Sequence, residues 1–242
     1  MVRLASRLSR SLSAAGLSVF LTSVAFAVPV YNPVTDFSPS SNPNGVWSLG
    51  SEGALGGSLT PFSTPNANCT TANYQTWNNG GLCTSGPSVA NNATGAPFVG
   101  DGGSMTQQTT ELSMNPSSTQ FTIVRWTAPS AGVWSISGFF RAIDTQMAVQ
   151  GSDVHVLVNG TVVYSAGAFG FLLQQPINLT EVLPLGGTVD FAVGNGGFPG
   201  NAIHQFIGLT TAINAAPEPG SMILIGIGSA ILVAVRKRRA RA

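Results

Sequence analysis

From Val133 to Arg141 the side chains alternate, with Trp134, Ile136 and Phe140 on one face and Ser135, Ser137, Phe139 and Arg141 on the other. A period of two belongs to a half-buried β-strand, one face in a core and one wet. A similar β-rich run, 121–127, precedes it across the turn Ala128-Pro129-Ser130-Ala131-Gly132. Further on, 153–158 and 161–164 flank Asn159-Gly160. That dipeptide predicts a β-hairpin, because a type I′ turn needs positive φ at both central positions. In the first arm Val154, Val156 and Val158 form the apolar face, which places Asp153 and His155 on the polar one. Short runs at 171–173, 177–183, 188–193 and 203–213 continue the series, and no long amphipathic helical pattern competes.

Residues 28–120 are less regular and rich in Asn, Ser, Thr and Gly, with Gly45-Val46-Trp47-Ser48-Leu49-Gly50 as the clearest strand. No linker of distinct composition divides them from the rest, so they read as outer strands and long loops of the same domain. Many short strands punctuated by Gly, Pro and Asn predict an all-β fold, an antiparallel β-sandwich of jelly-roll-like form.

The two ends follow different patterns. Residues 1–27 carry Arg3, Arg7 and Arg10 ahead of a short apolar run from Leu17 to Ala25, and Ala25-Phe26-Ala27 supplies an A-x-A cleavage site. This is the layout of a signal peptide cut after Ala27. Residues 217–242 divide into Pro217-Glu218-Pro219-Gly220, an apolar run over about 221–235, and a basic end at 236–242. As a helix that run spans only about 22 Å, short of the ~30 Å hydrocarbon core, so it predicts a marginal transmembrane helix. The basic cluster holds the C-terminus in the cytoplasm and everything before Glu218 outside.

The formal net charge of +1 conceals this division. Between the ends stand only Arg125 and Arg141 against nine carboxylates, a net of −7. A core with two arginines and no lysine cannot release the counterions of a polyanion, which excludes nucleic acid as a partner. Cys69 and Cys83 are the only cysteines, and export into an oxidising compartment predicts a disulfide between them.

The order Pro-Glu-Pro, apolar helix, Arg-rich end resembles the PEP-CTERM sorting signal of Gram-negative bacteria. The resemblance covers about the last 26 residues. It implies an exosortase, a membrane-embedded cysteine protease, that recognises Pro217, Glu218 and Pro219 and processes the protein, with the inner membrane holding the intermediate through the C-terminal helix. It also implies a destination at the cell surface or in an exopolysaccharide matrix. The segment from Arg125 to Ile136, with the later hairpin, resembles the core of many such proteins and, more loosely, galactose-binding-like sandwiches.

Chemistry in the middle is sparse. No G-x-S-x-G nucleophile turn occurs, and Gly194-Asn195-Gly196-Gly197 follows a strand but leads to no helix, so it is a loop and not a nucleotide cradle. Cys69, Cys83, His155 and His204 are too scattered for a zinc site, no spaced calcium loop is present, and no cofactor or metal is expected. Asp144, Asp153, Glu181 and Asp190 are available as carboxylates for glycoside hydrolysis, yet their separation is invisible in sequence. The candidate glycan-binding residues are therefore Phe139, Arg141, Asp153 and His155, expected together on one wet face with Ser135 and Ser137. The expected function is a non-catalytic surface or matrix protein, structural or glycan-binding. The alternatives are a secreted polysaccharide hydrolase and a simple tail-anchored envelope protein.

Overall fold

A computed structural model describes residues 29–216 except 82, 84, 148–150, 169 and 198–203. The signal segment with Ala25 and Ala27, and the tail with Pro217, Glu218 and Pro219, lie outside the described residues. Among the described residues no helix is long and apolar enough to cross a membrane.

The strands are β1 (Val30–Tyr31), β2 (Trp47–Glu52), β3 (Thr60–Pro61), β4 (Thr64–Asn66), β5 (Tyr74–Asn78), β6 (Ser88–Asn92), β7 (Phe98–Gly100), β8 (Met105–Gln107), β9 (Leu112–Asn115), β10 (Phe121–Thr127), β11 (Gly132–Ala142), β12 (Ser152–Val158), β13 (Thr161–Ala168), β14 (Gln174–Leu183), β15 (Thr188–Gly194) and β16 (Ile207–Ala215). All described pairings are antiparallel. One sheet runs β14-β11-β16-β9-β6-β5-β4, with β1 also paired to β16, and the other runs β13-β12-β15-β10-β2-β3. β7 and β8 form a separate ribbon.

The inward faces of both sheets meet in one core. Trp134, Ile136 and Phe140 of β11 pack with Trp126 of β10 and Phe191 of β15. Trp126 and Trp134 meet edge to face at 4.8 Å, and Phe140 and Phe191 at 6.3 Å. The alternation in 133–141 thus names the right face of β11. The Asn-Gly hairpin is present, with Asn159 at φ 49° and Gly160 at φ 77°. Val154 and Val156 are buried in that core, and Leu157, alternating with them on the outer face, joins a second cluster with Ile123 and Ala192. The loop carrying Leu55 and Leu59 covers that cluster.

Two expectations differ from the structure. Residues 171–173 are not a strand, and the last strand begins at Ile207, not at residue 203. The larger difference lies before residue 121. β2, β5, β6 and β9 are almost wholly buried strands built into the two sheets. β2 falls largely within the run 45–50 that the sequence marks, whereas β5, β6 and β9 escape the pattern because many of the groups they bury are polar. Gln107, fully buried, donates to Ala90 O and Glu111 O and accepts from Tyr74 Oη–H at 2.6 Å.

The disulfide expected between Cys69 and Cys83 is not made, and both are free thiols. They do share a small cluster with Tyr74, Met105, Ile143 and Phe206. A count of cysteines can pair residues but cannot set the sulfur geometry a bond requires. Burial, reinforced by the neighbouring Cys83 thiol, pushes Cys69 up to about 12. A thiolate-selective reagent at pH 8 is expected to modify Cys83 and leave Cys69 intact until the chain unfolds. Two fast equivalents per native chain would show that Cys69 is not sealed.

Candidate functional site

One end of the sandwich gathers residues 116–120 and the described residues 143–147, 151, 195–197 and 204–206, because β10, β12 and β16 begin there and β9, β11 and β15 end there. On the outer face of the second sheet at this end, strand register sets Gly167, Asp153 and Gly194 in one cross-strand row, with Phe121 of β10 in line, and Ser165, His155, Ala192 and Ile123 in the next. His155 is held at both ring nitrogens, Nε2 to Asp153 Oδ2 and Nδ1 to Ser165 Oγ, each at 2.7 Å. The Gly196 N–H donates to the other Asp153 oxygen at 2.7 Å. Burial works to raise Asp153, but these hydrogen bonds outweigh it and hold the carboxyl below its ordinary 3.8. Phe121 meets the imidazole edge-on at 6.0 Å. Gly194 makes room for both neighbours, since a Cβ there would stand 2.4 Å from Asp153 Oδ1 and 2.4 Å from Phe121 Cε1. Beside Phe121 lies a groove of about 140 Å³ lined by Ser117, Ser118, Thr119, Gln120, Gly194 and Asn195.

The structure separates the four residues expected on one wet face. Asp153 and His155 are on β12 of one sheet, whereas Phe139 and Arg141 are on the outer side of β11 in the other. Arg141 is committed to Glu111, with Nη2 to Oε1 at 2.5 Å and Nε to Oε2 at 3.0 Å. Phe139 is half-buried. Residues that alternate correctly along each strand still land on opposite sides when the strands belong to different sheets. Phe121 and the 117–120 loop carried no local signal for a site; only the register of β10 against β15 brings them to Asp153.

A second cluster sits at the same end. The β7–β8 turn brings Asp101 and Ser104 to Asp144, which is fully buried, and to His204. His204 Nδ1 lies 2.7 Å from Asp101 Oδ2 and 3.3 Å from Asp144 Oδ2, and Ser104 Oγ donates to Asp144 Oδ2 at 3.1 Å. Among the described residues these three titratable groups are the set placed to hold a cation, with ligand atoms within 4.8 Å of one another. In the sequence His204 stands out only with the cysteines and His155, and nothing there pairs it with Asp101, which lies 103 positions away. Without a cation the same contacts form a hydrogen-bonded cluster in which His204 Nδ1 addresses both carboxylates. It does not make a serine relay, because Ser104 and both carboxylates address the same ring nitrogen, whereas a triad uses opposite nitrogens.

The remaining charges are structural. Arg125 binds Asp190 through Nε at 2.5 Å and Nη2 at 2.7 Å, and Glu52 through Nη2 at 3.0 Å. Two arginines among so many carboxylates imply ion pairs with Asp144, Asp153 or Asp190 as candidates; the structure pairs both arginines, with Asp190 and with Glu52 and Glu111 in place of the other two.

The described residues form an all-β sandwich with its polar loops gathered at one end, and the tail beyond them carries a recognisable motif. The chain carries a PEP-CTERM protein-sorting motif, matched over residues 215–239. No curated protein matches the chain. Among solved structures it is similar to a family 51 carbohydrate-binding module of Clostridium perfringens in complex with methyl-galactose, at 12% identity over 50% of this chain and 79% of that one, TM-score 0.34. It is also similar to a family 35 carbohydrate-binding module of Clostridium thermocellum, at 17% identity over 50% of this chain and 87% of that one, TM-score 0.29. A third is the tailspike protein 4 enzymatically active domain of bacteriophage CBA120, at 12% identity over 76% of this chain and 20% of that one, TM-score 0.32.

Proposed function

We propose that this protein is exported by its signal peptide, processed by an exosortase at Pro217, Glu218 and Pro219, and delivered to the cell surface or exopolysaccharide matrix, where its sandwich binds glycan without catalysis. The sorting motif supports the delivery. The observation that carries the binding half is the groove at the loop end, which Phe121 lines together with Ser117, Ser118, Thr119 and Gln120, with the Asp153 carboxylate across Gly194. An aromatic surface next to hydrogen-bonding groups suits a sugar ring with one apolar face and a rim of hydroxyls.

A second reading, polysaccharide hydrolysis, draws on the chain Ser165–His155–Asp153, whose order is that of a nucleophile relay. Against it, Ser165 lies on the edge strand β13, on the far side of His155 from the groove beside Phe121. Titration of the mature protein with the host's own exopolysaccharide, with reducing ends measured in parallel, separates the readings. Saturable binding that Phe121→Ala weakens about tenfold or more, with no reducing ends released, is the expected result. Release of reducing ends that Ser165→Ala abolishes would establish the hydrolase, and neither signal would leave a structural surface protein.

A further inference from the structure

The end of the sandwich opposite the loops carries both ends of the described residues, near Val30 and at Ala216. β1 pairs with β16 through Val30↔Asn214 and Tyr31↔Ile213, so the chain enters and leaves side by side. β16 is held to its last residue: Ala215 pairs with Trp134, and the Ala216 N–H donates to Val133 O at 2.8 Å. The sorting motif begins at the next position, with no spacer between it and the folded sheet.

Register places an apolar patch at this exit. Val182 lies opposite Val133, whose carbonyl holds Ala216, and these three alternate with the inward Glu181, Trp134 and Ala215. Val30 stands on the same outer face one outward row in, and Leu185 caps the adjoining β14–β15 turn. Val182, Leu185 and Val30 are 77%, 71% and 62% exposed, above every other exposed large hydrophobic among the described residues. Among the described residues, the acids near this end are engaged or turned away. Asp36 accepts the Trp47 indole N–H at 3.0 Å, and Glu181 points inward.

The five steps from Ala216 to Ser221, where the apolar tail run begins, span at most about 18 Å. The headgroup layer itself takes roughly 5–8 Å of that. A fully extended spacer leaves the sheet end within about 13 Å of the headgroups, and any bend in it closes the gap.

We propose that the patch of Val30, Val133, Val182, Leu185 and Ala216 is a membrane-contact surface that seats in the bilayer interface while the tail is still anchored. The lipid surface is the occupant the spacer length selects, and with two arginines, both already ion-paired, the contact is apolar and not a headgroup-phosphate site. Seating this end fixes the sandwich upright, with the groove beside Phe121 and the Asp144 cluster facing away from the membrane. Removal of the tail then frees the patch together with the anchor. The inference rests on the tail-anchored intermediate proposed above.

The test uses the full chain in vesicles of phosphatidylethanolamine and phosphatidylglycerol, with an environment-sensitive fluorophore on Leu185→Cys, on Val182→Cys or, at the opposite end, on Leu172→Cys, each in a Cys83→Ser background. The expected result is blue-shifted emission at positions 185 and 182 that brominated lipid quenches, and water-like emission at 172. Flotation of the labelled chain reads the anchor independently. A chain that floats with position 185 as wet as 172 overturns the seating alone; a chain that does not float overturns the anchor and the seating with it. Shielding at 185 in native membranes but not in pure lipid would transfer the surface to a protein partner and overturn the lipid assignment.

Discussion

Replacing Arg125 with Met is expected to destabilise the native state by about 3–5 kcal/mol at pH 7, because it strands two buried carboxylates. The side chains of Asp190 and Glu52 have no exposed surface, and Arg125 is their shared cation. Burial and the nearby Asp190 charge already raise Glu52 above its ordinary 4.5 despite the arginine. With the cation gone, Glu52 loses the charge that opposes this rise and would hold its proton in the folded state to still higher pH than in the unfolded chain. A group whose folded pKa is raised contributes stability that is present below its unfolded pKa and is lost as pH rises through the folded one. The deficit of Arg125→Met should therefore be largest at neutral pH and shrink as pH falls towards 4, the reverse of an ordinary acid denaturation. Urea unfolding at a series of pH values reads this directly; a deficit independent of pH would mean that the arginine acts by packing its aliphatic stem and not by its charge.

A single methyl group at Gly138 should be nearly as damaging. Gly138 sits in the middle of β11 at φ 152°, and a Cβ there would stand 2.0 Å from Thr210 O and 2.8 Å from Thr211 Cα. Both atoms are backbone of β16, so relief requires opening the β11–β16 ladder that closes the core. Overpacking of about 1–3 kcal/mol adds to a backbone strain of about 1–3 kcal/mol, so Gly138→Ala is expected to cost roughly 2–6 kcal/mol in urea unfolding. Gly186→Ala is the control. Its φ of 78° carries the strain, but nothing lies within 4 Å of the added Cβ, so it should cost only about 1–2 kcal/mol. Equal losses at the two positions would remove close approach as the cause.

The groove beside Phe121 is the part of the protein with consequences outside the fold, and Asp153 ties it to pH with the opposite sign from Glu52. Its folded pKa is depressed, so its contribution is present above the unfolded value and is lost as pH falls through the folded one. The loop end should therefore loosen in strong acid. Placed away from the membrane by the seating of Val182 and Leu185, that end is the surface the sandwich presents to its surroundings.

Much was determined by the order of residues alone. The sorting motif is a contiguous stretch, and Pro217, Glu218 and Pro219 followed by an apolar run and arginines can be read without any fold. The strands from Phe121 onward are equally local: a period of two in Val133 to Arg141 marks which side chains are buried, and Asn159-Gly160 marks its turn, because both depend on backbone geometry within a few residues. What tertiary structure decided is which strands share a sheet. Arg141 and His155 each sit on an outward face, as their alternation says, yet the faces belong to different sheets, and no residue within either strand records that. The buried strands β5, β6 and β9 were hidden for a related reason, since Asn, Ser and Gln are polar in any local count and become interior only when a distant partner such as Tyr74 supplies the hydrogen bond. Asp101, Asp144 and His204, and Asp153 with Phe121, are likewise joined by long-range register; a cross-strand contact costs the same whether its residues are ten or a hundred positions apart, so sequence distance carries no trace of it.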